Sequence, residues 1–268
     1  MLPRFRTSSR FAIAGVLAVT AATLAAPTTV AAADAAPTVL ITGANRGIGL
    51  ALARAYAARG WRVIATARKP AEAGDLRALA AADPDVRIET LDVTEHAQVD
   101  ALASKYAGQP VDLLINNAGI TGPREAQVFG RLDYAVARSV FETNVLAPMK
   151  LAEALMPNVL AGAQKKIVTI SSSEGSVTGV NSARQYWYRS SKAAVNMAMR
   201  NLAFEVKKTG VTVALVNPGP VATDMMAGAR IPLQPVNEAA AKVIGIIDRL
   251  TLETTGHFWD YAGGELPW

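Results

Sequence analysis

The chain has 268 residues, of which 51% are apolar, and carries 27 Lys and Arg against 22 Asp and Glu, a formal net charge of +5. That length is enough for one sizeable core, and the basic residues are scattered, which predicts no nucleic-acid surface. The absence of cysteine excludes disulfides and thiol catalysis, and the two histidines, His96 and His257, are too far apart in sequence to suggest a metal site.

The first 36 residues differ in composition from the rest. Arginines at positions 4, 6 and 10 precede an uncharged run over residues 11–33, which ends in the small residues Ala31, Ala32 and Ala33. This order is typical of a secretory signal peptide. It predicts a signal over residues 1–33, a single domain over 34–268, and export to the periplasm or beyond. Two alternatives stay open: an uncleaved membrane anchor, because the run is long enough to span a bilayer, and a cytoplasmic protein with an unused extension.

After residue 36, short apolar segments alternate with helical patterns. Strands are predicted near residues 38–41, 61–67, 86–91, 111–115, 166–170, 211–216 and 258–261. Helices are predicted between most of them, including a long helical region over 133–155 that is broken near Pro148 and Pro157. Strands separated by helices predict a single α/β domain, with a Rossmann-type, doubly wound parallel sheet of about seven strands.

A glycine-rich loop follows the first predicted strand. Gly43, Gly47 and Gly49 lie between this strand and the first helix, where backbone N–H groups at a helix N-terminus can bind a pyrophosphate. The spacing differs from the usual G-x-G-x-x-G, and a glycine triplet alone is a weak signal. Its position in an alternating α/β chain favours a dinucleotide site.

The residues at the end of the second predicted strand indicate whether the dinucleotide is NAD(H) or NADP(H). An NAD site is expected to have an Asp or Glu there for the ribose 2′-hydroxyl. This chain instead has Arg68, with Arg46 of the glycine loop on the same side. Two guanidinium groups suit a 2′-phosphate, which predicts NADP(H); the alternative is two solvated surface arginines.

A tyrosine and a lysine stand four residues apart in the stretch from Tyr188 to Lys192. On a helix this spacing places both on one face, and a nearby ammonium lowers the pKa of a phenol. Such a tyrosine can exchange a proton with an alcohol or alkoxide. Tyr186 has no lysine four residues on and is interpreted as a pocket wall or a core aromatic. The pattern by itself also fits an ordinary surface pair.

Together these motifs resemble the short-chain dehydrogenase/reductase family over residues 37–268. The resemblance rests on Thr42–Gly49, Asp92–Val93, Asn116–Gly119, Asn144, Ile170–Ser172, Tyr188 with Lys192, and Asn217–Thr223. Within the family, the residues around Tyr186 and Thr223 and the segment 256–261 are similar to the sniffer-type carbonyl reductases and the bacterial C-factor proteins.

The resemblance implies a role for each matching residue. The catalytic set would be Ser172, Tyr188, Lys192 and Asn144, with Ser173 as an alternative to Ser172. Tyr188 would be the acid/base, Lys192 would lower its pKa and bind the nicotinamide ribose, and Asn144 would hold a water. The cofactor-binding residues would be Gly43, Asn45, Arg46, Gly47, Ile48, Gly49, Arg68, Asp92, Val93, Asn116, Ala118, Gly119, Tyr188, Lys192, Pro218, Gly219, Val221 and Thr223. The pair Asn116 and Asn117 fits a structural strand-end turn equally well.

The activity implied is hydride transfer between NADP(H) and a carbonyl or secondary alcohol, with small apolar aldehydes or ketones as the expected substrates. Met225 and Met226 would line an open pocket or simply pack the core. A non-catalytic nucleotide-binding protein in signalling or redox sensing is the alternative. A sugar-nucleotide epimerase is disfavoured, because the chain offers no larger C-terminal substrate domain. By analogy with the family, we expect a homo-oligomer.

Overall fold

Seven parallel strands form the centre of the protein, which the computed structural model describes over residues 36–268. In chain order they are β1 (Thr38–Ile41), β2 (Arg62–Ala67), β3 (Val86–Thr90), β4 (Leu113–Asn116), β5 (Lys166–Ile170), β6 (Thr212–Asn217) and β7 (Phe258–Asp260). Their order in the sheet is β3-β2-β1-β4-β5-β6-β7. The strand order reverses between β1 and β4, and in such sheets ligands bind beside this point, outside the carboxyl ends of the strands. The predicted fold class is confirmed.

Helices cover both faces of the sheet. They are α1 (Gly47–Ala58), α2 (Gly74–Ala82), α3 (His96–Lys105), α4 (Tyr134–Phe141), α5 (Ala147–Ala161), α6 (Tyr186–Val206) and α7 (Val236–Arg249). One core lies under α1, α2 and α7, and the other under α3, α5 and α6. Strand β1 contributes side chains to both cores, because Val39 and Ile41 pack in the first core and Leu40 packs in the second.

The predicted long helical region is continuous where a break was expected. Helices α4 and α5 are joined by a π-helical turn, Glu142–Leu146, and α5 contains both Pro148 and Pro157. Pro148 directly follows the π-helical turn, so the regular α-helical bonding changes beside it, whereas Pro157 lies inside α5, which continues to Ala161. The predicted break at Pro157 was therefore wrong, and near Pro148 the α-helix changes to a π-helical turn instead of ending.

Helix α7 has no counterpart in the sequence-based prediction. It follows Pro235, and its buried residues Ala239, Ala240, Val243 and Ile247 recur at helical spacing. That periodicity was available in the sequence as a signal. α7 packs on the same face of the sheet as α1, so it supports the helix that begins in the glycine loop.

The predicted signal peptide, residues 1–33, lies outside the described residues, so the structure does not bear on it. Over residues 36–268, no helix is both long and apolar enough to cross a bilayer.

Candidate active site

The glycine loop turns sharply between β1 and α1. Gly43 and Gly47 adopt positive φ angles of 64° and 55°, which favour glycine. A Cβ on Gly49 would lie 2.4 Å from the Gly43 carbonyl oxygen, so that position accepts only glycine. Helix α1 has no side-chain N-cap and no acidic residue in its first turn. Its first N–H groups therefore remain open to an anion, and Ile48 packs under them against the core. The loop fits a pyrophosphate.

The end of β4 braces this loop. The Thr42 hydroxyl accepts hydrogen bonds from the N–H groups of Asn117 and Ala118 at 3.0 and 3.1 Å. The Asn117 side-chain amide donates to the carbonyls of Thr42 and Gly43 at 2.9 and 3.1 Å. Asn116, by contrast, is buried and faces Thr169, with an amide–hydroxyl distance of 3.4 Å. Asn117 therefore has the structural role at this strand end. The sequence did not show which residue of the pair Asn116 and Asn117 has this role.

The adenosine end of the predicted site is mostly exposed. Arg46 and Arg68 follow β1 and β2 at the carboxyl edge of the sheet, and Asn45 is also exposed. The Arg46 guanidinium donates to the Asp224 carboxylate at 2.9 Å, across the gap between the glycine loop and the segment after β6. Asp92 is partly buried and accepts hydrogen bonds from the backbone N–H and the hydroxyl of Thr94. The carboxylate of Asp92 therefore shapes its own loop, and the neighbouring Val93 is buried.

Tyr188 and Lys192 lie one turn apart on α6 with their side chains together. Both are nearly inaccessible, at 8% and 6% exposure. The Lys192 ammonium lies 5.9 Å from the centre of the Tyr188 ring and donates to the Ile170 carbonyl oxygen at 2.8 Å. A Cβ on Gly119 would lie 3.7 Å from the Lys192 nitrogen, so the loop after β4 lies against this lysine.

Ser172 joins this pair from the end of β5. Its hydroxyl accepts from the Glu174 N–H at 3.1 Å and is near enough to the phenol of Tyr188 to lower the pKa of that phenol. The alternative, Ser173, is exposed. Gly175 allows the loop to approach α6, because a Cβ there would lie 3.0 Å from the Lys192 Cβ. The structure therefore favours Ser172 over Ser173 as the serine of the site.

Burial controls the protonation of the pair. Burial raises the pKa of Tyr188, while the nearby Ser172 hydroxyl lowers this pKa and the Glu174 charge raises it. Burial also lowers the pKa of Lys192 to about 8. The helical spacing alone predicts a lowered phenol pKa, and the opposite direction follows because desolvation outweighs the other influences on this enclosed side chain.

Asn144 lies in the π-helical turn, and such turns are frequent at functional sites. Its side-chain oxygen accepts from the Ile120 N–H at 2.9 Å, and its amide donates to the Ile120 carbonyl at 2.8 Å and to the Ser191 hydroxyl at 3.0 Å. Ser191 in turn donates to the Tyr188 carbonyl at 2.7 Å. Asn144 thus links the loop after β4 to the helix that carries Tyr188, and its oxygen would lie 3.3 Å from a Cβ on Gly119.

The segment after β6 closes the other side of the cleft. Pro218 and Val221 are buried, and Gly219 adopts a φ of 76° where a Cβ would lie 2.6 Å from the Tyr261 ring. The methyl group of Thr223 would lie 3.4 Å from a Cβ on Gly47, which brings this segment against the glycine loop.

Sequence reasoning did not identify several residues that hold these parts in place. Gln234 donates to the Pro218 carbonyl at 2.6 Å, and Asn196 accepts from the Ser171 hydroxyl at 2.6 Å. Gln127 bonds the first turn of α6 from the loop after β4. Only Gly175, a glycine two residues after a strand-end serine run, could have been noticed in the sequence.

Comparison with known proteins identifies the family. The short-chain dehydrogenase family matches residues 37–233, and the chain belongs to this family of oxidoreductases. The "C-signal" of Myxococcus xanthus is 36% identical over 168 residues, which are 63% of this chain and 99% of that protein.

Two solved structures are similar over the whole domain. An NADPH-bound carbonyl reductase from chicken fatty liver has 31% identity and a TM-score of 0.80, covering 87% of this chain and 99% of that one. The carbonyl reductase Sniffer of D. melanogaster has 27% identity and a TM-score of 0.80, covering 87% and 100%. The predicted resemblance to the sniffer-type and C-factor branch is confirmed.

Proposed function

We propose that the protein is an NADP(H)-dependent oxidoreductase that transfers a hydride between the nicotinamide and a carbonyl or secondary alcohol. The observation that carries the proposal is the meeting of Ser172, Tyr188 and Lys192 in one enclosed cluster at the carboxyl edge of the sheet. This cluster lies beside the strand-order reversal and a glycine loop that fits a pyrophosphate.

In this proposal the chain's own residues hold the substrate and move one proton. The Ser172 hydroxyl donates to the carbonyl oxygen and polarises it. The Tyr188 phenol gives its proton to that oxygen in the reducing direction, and its raised pKa keeps it protonated at neutral pH. Lys192 is mostly protonated at neutral pH, because its pKa is about 8, and it can bind ribose hydroxyls beside the phenol. The bound nicotinamide supplies the hydride.

NADP(H) is the favoured cofactor on two grounds. Arg46 and Arg68 are exposed at the carboxyl ends of β1 and β2, where a 2′-phosphate would be bound, and β2 ends without an acidic residue. The similar carbonyl reductase from chicken was solved with NADPH. In the structure the Arg46 guanidinium donates to the Asp224 carboxylate, so a 2′-phosphate would compete with that carboxylate for Arg46.

An apolar carbonyl compound is the favoured substrate class. Met225, Ile231 and Val177 are 44%, 55% and 70% exposed, in the loops that follow β5 and β6. Tyr186 is half-buried and lies against Phe129, with ring centres 6.3 Å apart. Exposed apolar side chains near the ends of these strands favour aldehydes and ketones over charged substrates.

The direct test measures NADPH oxidation by the purified protein with a panel of aliphatic and aromatic aldehydes and ketones. NADH is assayed in parallel at the same concentration. We expect turnover with apolar carbonyls and a preference for NADPH. Absence of both turnover and nicotinamide nucleotide binding would refute the proposal.

A non-catalytic role in signalling is the second candidate, because the "C-signal" protein aligns with 168 residues of this chain. The same assay separates the two. Nucleotide binding without turnover across the panel would favour signalling, and turnover that depends on Tyr188 would favour the enzyme.

We also propose that the protein forms a homo-oligomer. Met197 and Phe204 lie two turns apart on α6 and are 64% and 65% exposed, and Leu146 and Leu160 near α5 are exposed too. Apolar side chains on one helical face favour burial against a second copy. Light scattering should show a dimer or tetramer that Phe204→Glu weakens.

Export through the N-terminal segment is a further proposal, supported by its arginine-rich start, uncharged run and small-residue end. Cell fractionation with N-terminal sequencing of the mature protein tests it. A start near residue 34 in an exported fraction is expected. An intact N-terminus in the membrane fraction would favour the anchor, and an intact one in the cytoplasm would favour the unused extension.

A further inference from the structure

Gln127 is a buried polar residue in the loop between β4 and α4. It is 3% exposed and uses both ends of its side-chain amide. The amide nitrogen donates to the carbonyls of Thr121 and Pro123 at 2.9 and 3.2 Å. The amide oxygen accepts from the backbone N–H groups of Trp187 and Tyr188 at 2.9 and 3.1 Å. All four bonds go to backbone groups, so this side chain joins two segments of main chain.

Helix α6 lacks a cap of its own. The residue at its N-cap, Gln185, is in the left-handed region with φ 46° and makes no side-chain hydrogen bond to the helix. The first N–H groups of a helix have no partner within the helix, and an N-cap side chain normally accepts from the second or third of them. Trp187 and Tyr188 occupy those two positions in α6. Gln127 therefore makes the bonds of an N-cap from a distant segment of the chain.

We propose that Gln127 is a positioning residue for the proton-transferring tyrosine. It holds the backbone of Tyr188 at the start of α6 and thereby fixes where the phenol meets Ser172. This inference rests on the proposed function, since it concerns the same tyrosine.

The same side chain also reaches the opposite side of the site. Thr121 follows Ile120, whose N–H and carbonyl are bound by Asn144. Gln127 thus connects the loop that Asn144 holds to the helix that carries Tyr188. This amide therefore contributes to the relative position of Asn144 and Tyr188, two of the four residues of the candidate catalytic set.

The glutamine amide supplies both the donor and the acceptor that these four bonds need. A leucine of similar size would leave two donors and two acceptors without partners in a buried place. A glutamate could still accept from the helix, where a negative charge is favourable, but it would face the carbonyls of Thr121 and Pro123. The pairs Phe129–Tyr186 and Tyr134–Trp187, with ring centres 6.3 and 5.3 Å apart, hold the same two segments together without Gln127. Loss of the cap should therefore loosen the first turn of α6 rather than unfold the domain.

The test compares Gln127→Leu, Gln127→Glu and the wild type, with Gln109→Leu as the matched control because Gln109 is exposed and remote. We expect Gln127→Leu to lower kcat by roughly 10–100-fold, since small misplacements of a reacting group can cost that much. NADPH affinity, measured by fluorescence, should stay within about twofold of the wild type, because the glycine loop is unchanged. Gln109→Leu should match the wild type in both.

Gln127→Glu distinguishes positioning from mere filling of space. It keeps the acceptor for the helix, so kcat should exceed that of Gln127→Leu. Its added negative charge lies close to Tyr188 and should displace the pH limb of kcat set by this tyrosine to higher pH. A profile that coincides with the wild type, together with a kcat no higher than that of Gln127→Leu, would contradict the proposal.

Hydrogen exchange gives a readout that needs neither activity nor a folded variant. In the wild type, the amides of Trp187 and Tyr188 should exchange as slowly as those in the middle of α6. Exchange as fast as in exposed loops would overturn the assignment, even if Gln127→Leu fails to fold. A folded Gln127→Leu that keeps kcat within twofold of the wild type would also overturn it. If the wild type itself turns over no carbonyl, the proposed function fails, and the exchange data still decide whether Gln127 caps α6.

Discussion

The two ends of the candidate cleft are built differently. At the catalytic end, Asn144, Tyr188 and Lys192 are 1%, 8% and 6% exposed, and the side chains of Asn144 and Lys192 donate to backbone carbonyls. At the adenosine end, Arg46 and Arg68 are exposed, and Arg46 is held only by a surface carboxylate, with 69% of its side chain accessible.

This difference indicates how each end would work. Buried, hydrogen-bonded side chains keep one geometry, which suits proton transfer over a short distance. Exposed arginines on loops can change partners and suit recognition of a charged group that arrives from solvent. Substitutions should therefore have large effects at the catalytic end and small effects at the adenosine end.

The largest effect is expected at Tyr188. Tyr188→Phe removes the hydroxyl whose pKa Ser172 influences and leaves the ring in place. Because general acid catalysis contributes roughly 10²–10⁴-fold, kcat should fall by at least a hundredfold while NADPH affinity stays almost unchanged. Steady-state kinetics and NADPH fluorescence measure the two quantities. The matched control is Tyr106→Phe, since the Tyr106 hydroxyl bonds Glu89 away from the site. A Tyr188→Phe enzyme that keeps a tenth of its activity would refute the role.

We expect the burial of the Lys192 ammonium to lower the free energy of unfolding. Its pKa in the folded chain is about 8, below the ordinary value of 10.5. Between these pH values the unfolded chain binds more protons than the folded chain. Stability of the wild type should therefore rise with pH across this window, and the full penalty applies below it.

Lys192→Met removes this penalty. Its stability relative to the wild type should be greatest at pH 7 and should fall by about 2 kcal/mol by pH 9.5, measured by urea denaturation. Lys208→Met, at an exposed position, should run parallel to the wild type. Parallel curves for Lys192→Met and the wild type would show that Lys192 is not desolvated. Loss of the ammonium beside the phenol should also lower kcat.

Features that depend on local sequence could be predicted, and features that depend on distant contacts could not. The spacing of Tyr188 and Lys192 placed both on one helical face, and the alternation of strands and helices gave the parallel sheet. Local patterns determine both features. The direction of the Tyr188 pKa shift could not be predicted, because it depends on how many distant groups exclude water from the phenol.

Long-range hydrogen bonds could not be predicted from the sequence either. Gln127 and Gln234 meet their partners only after the loops have folded over the sheet edge. Nothing in the sequence neighbourhood of either residue marks it. Pro157 shows the reverse error, because a residue that usually breaks helices lies inside α5 and the helix continues past it.

A smaller effect is expected at Arg68. Arg68→Ala should weaken NADPH binding by roughly tenfold, which corresponds to about 1.4 kcal/mol for one charge-assisted contact. NADH binding should not change, because NADH has no 2′-phosphate. Arg77→Ala, at an exposed position on α2, serves as the control for a lost surface charge. Equal weakening toward both nucleotides would place Arg68 outside the phosphate site.

The smallest effect is expected at Asp224, which holds Arg46 through a salt bridge of 2.9 Å. If the 2′-phosphate must compete for Arg46, Asp224→Asn should strengthen NADPH binding by about two- to fivefold, because exposed ion pairs contribute about 0.2–1 kcal/mol. Asp248→Asn breaks a comparable surface pair with Arg59 and should leave binding unchanged. The gain should disappear with NADH, and also when Arg46→Ala is combined with Asp224→Asn. A gain that persists in the double variant would mean that Asp224 repels the cofactor directly, and the adenosine end would then not depend on an exchange of partners at Arg46.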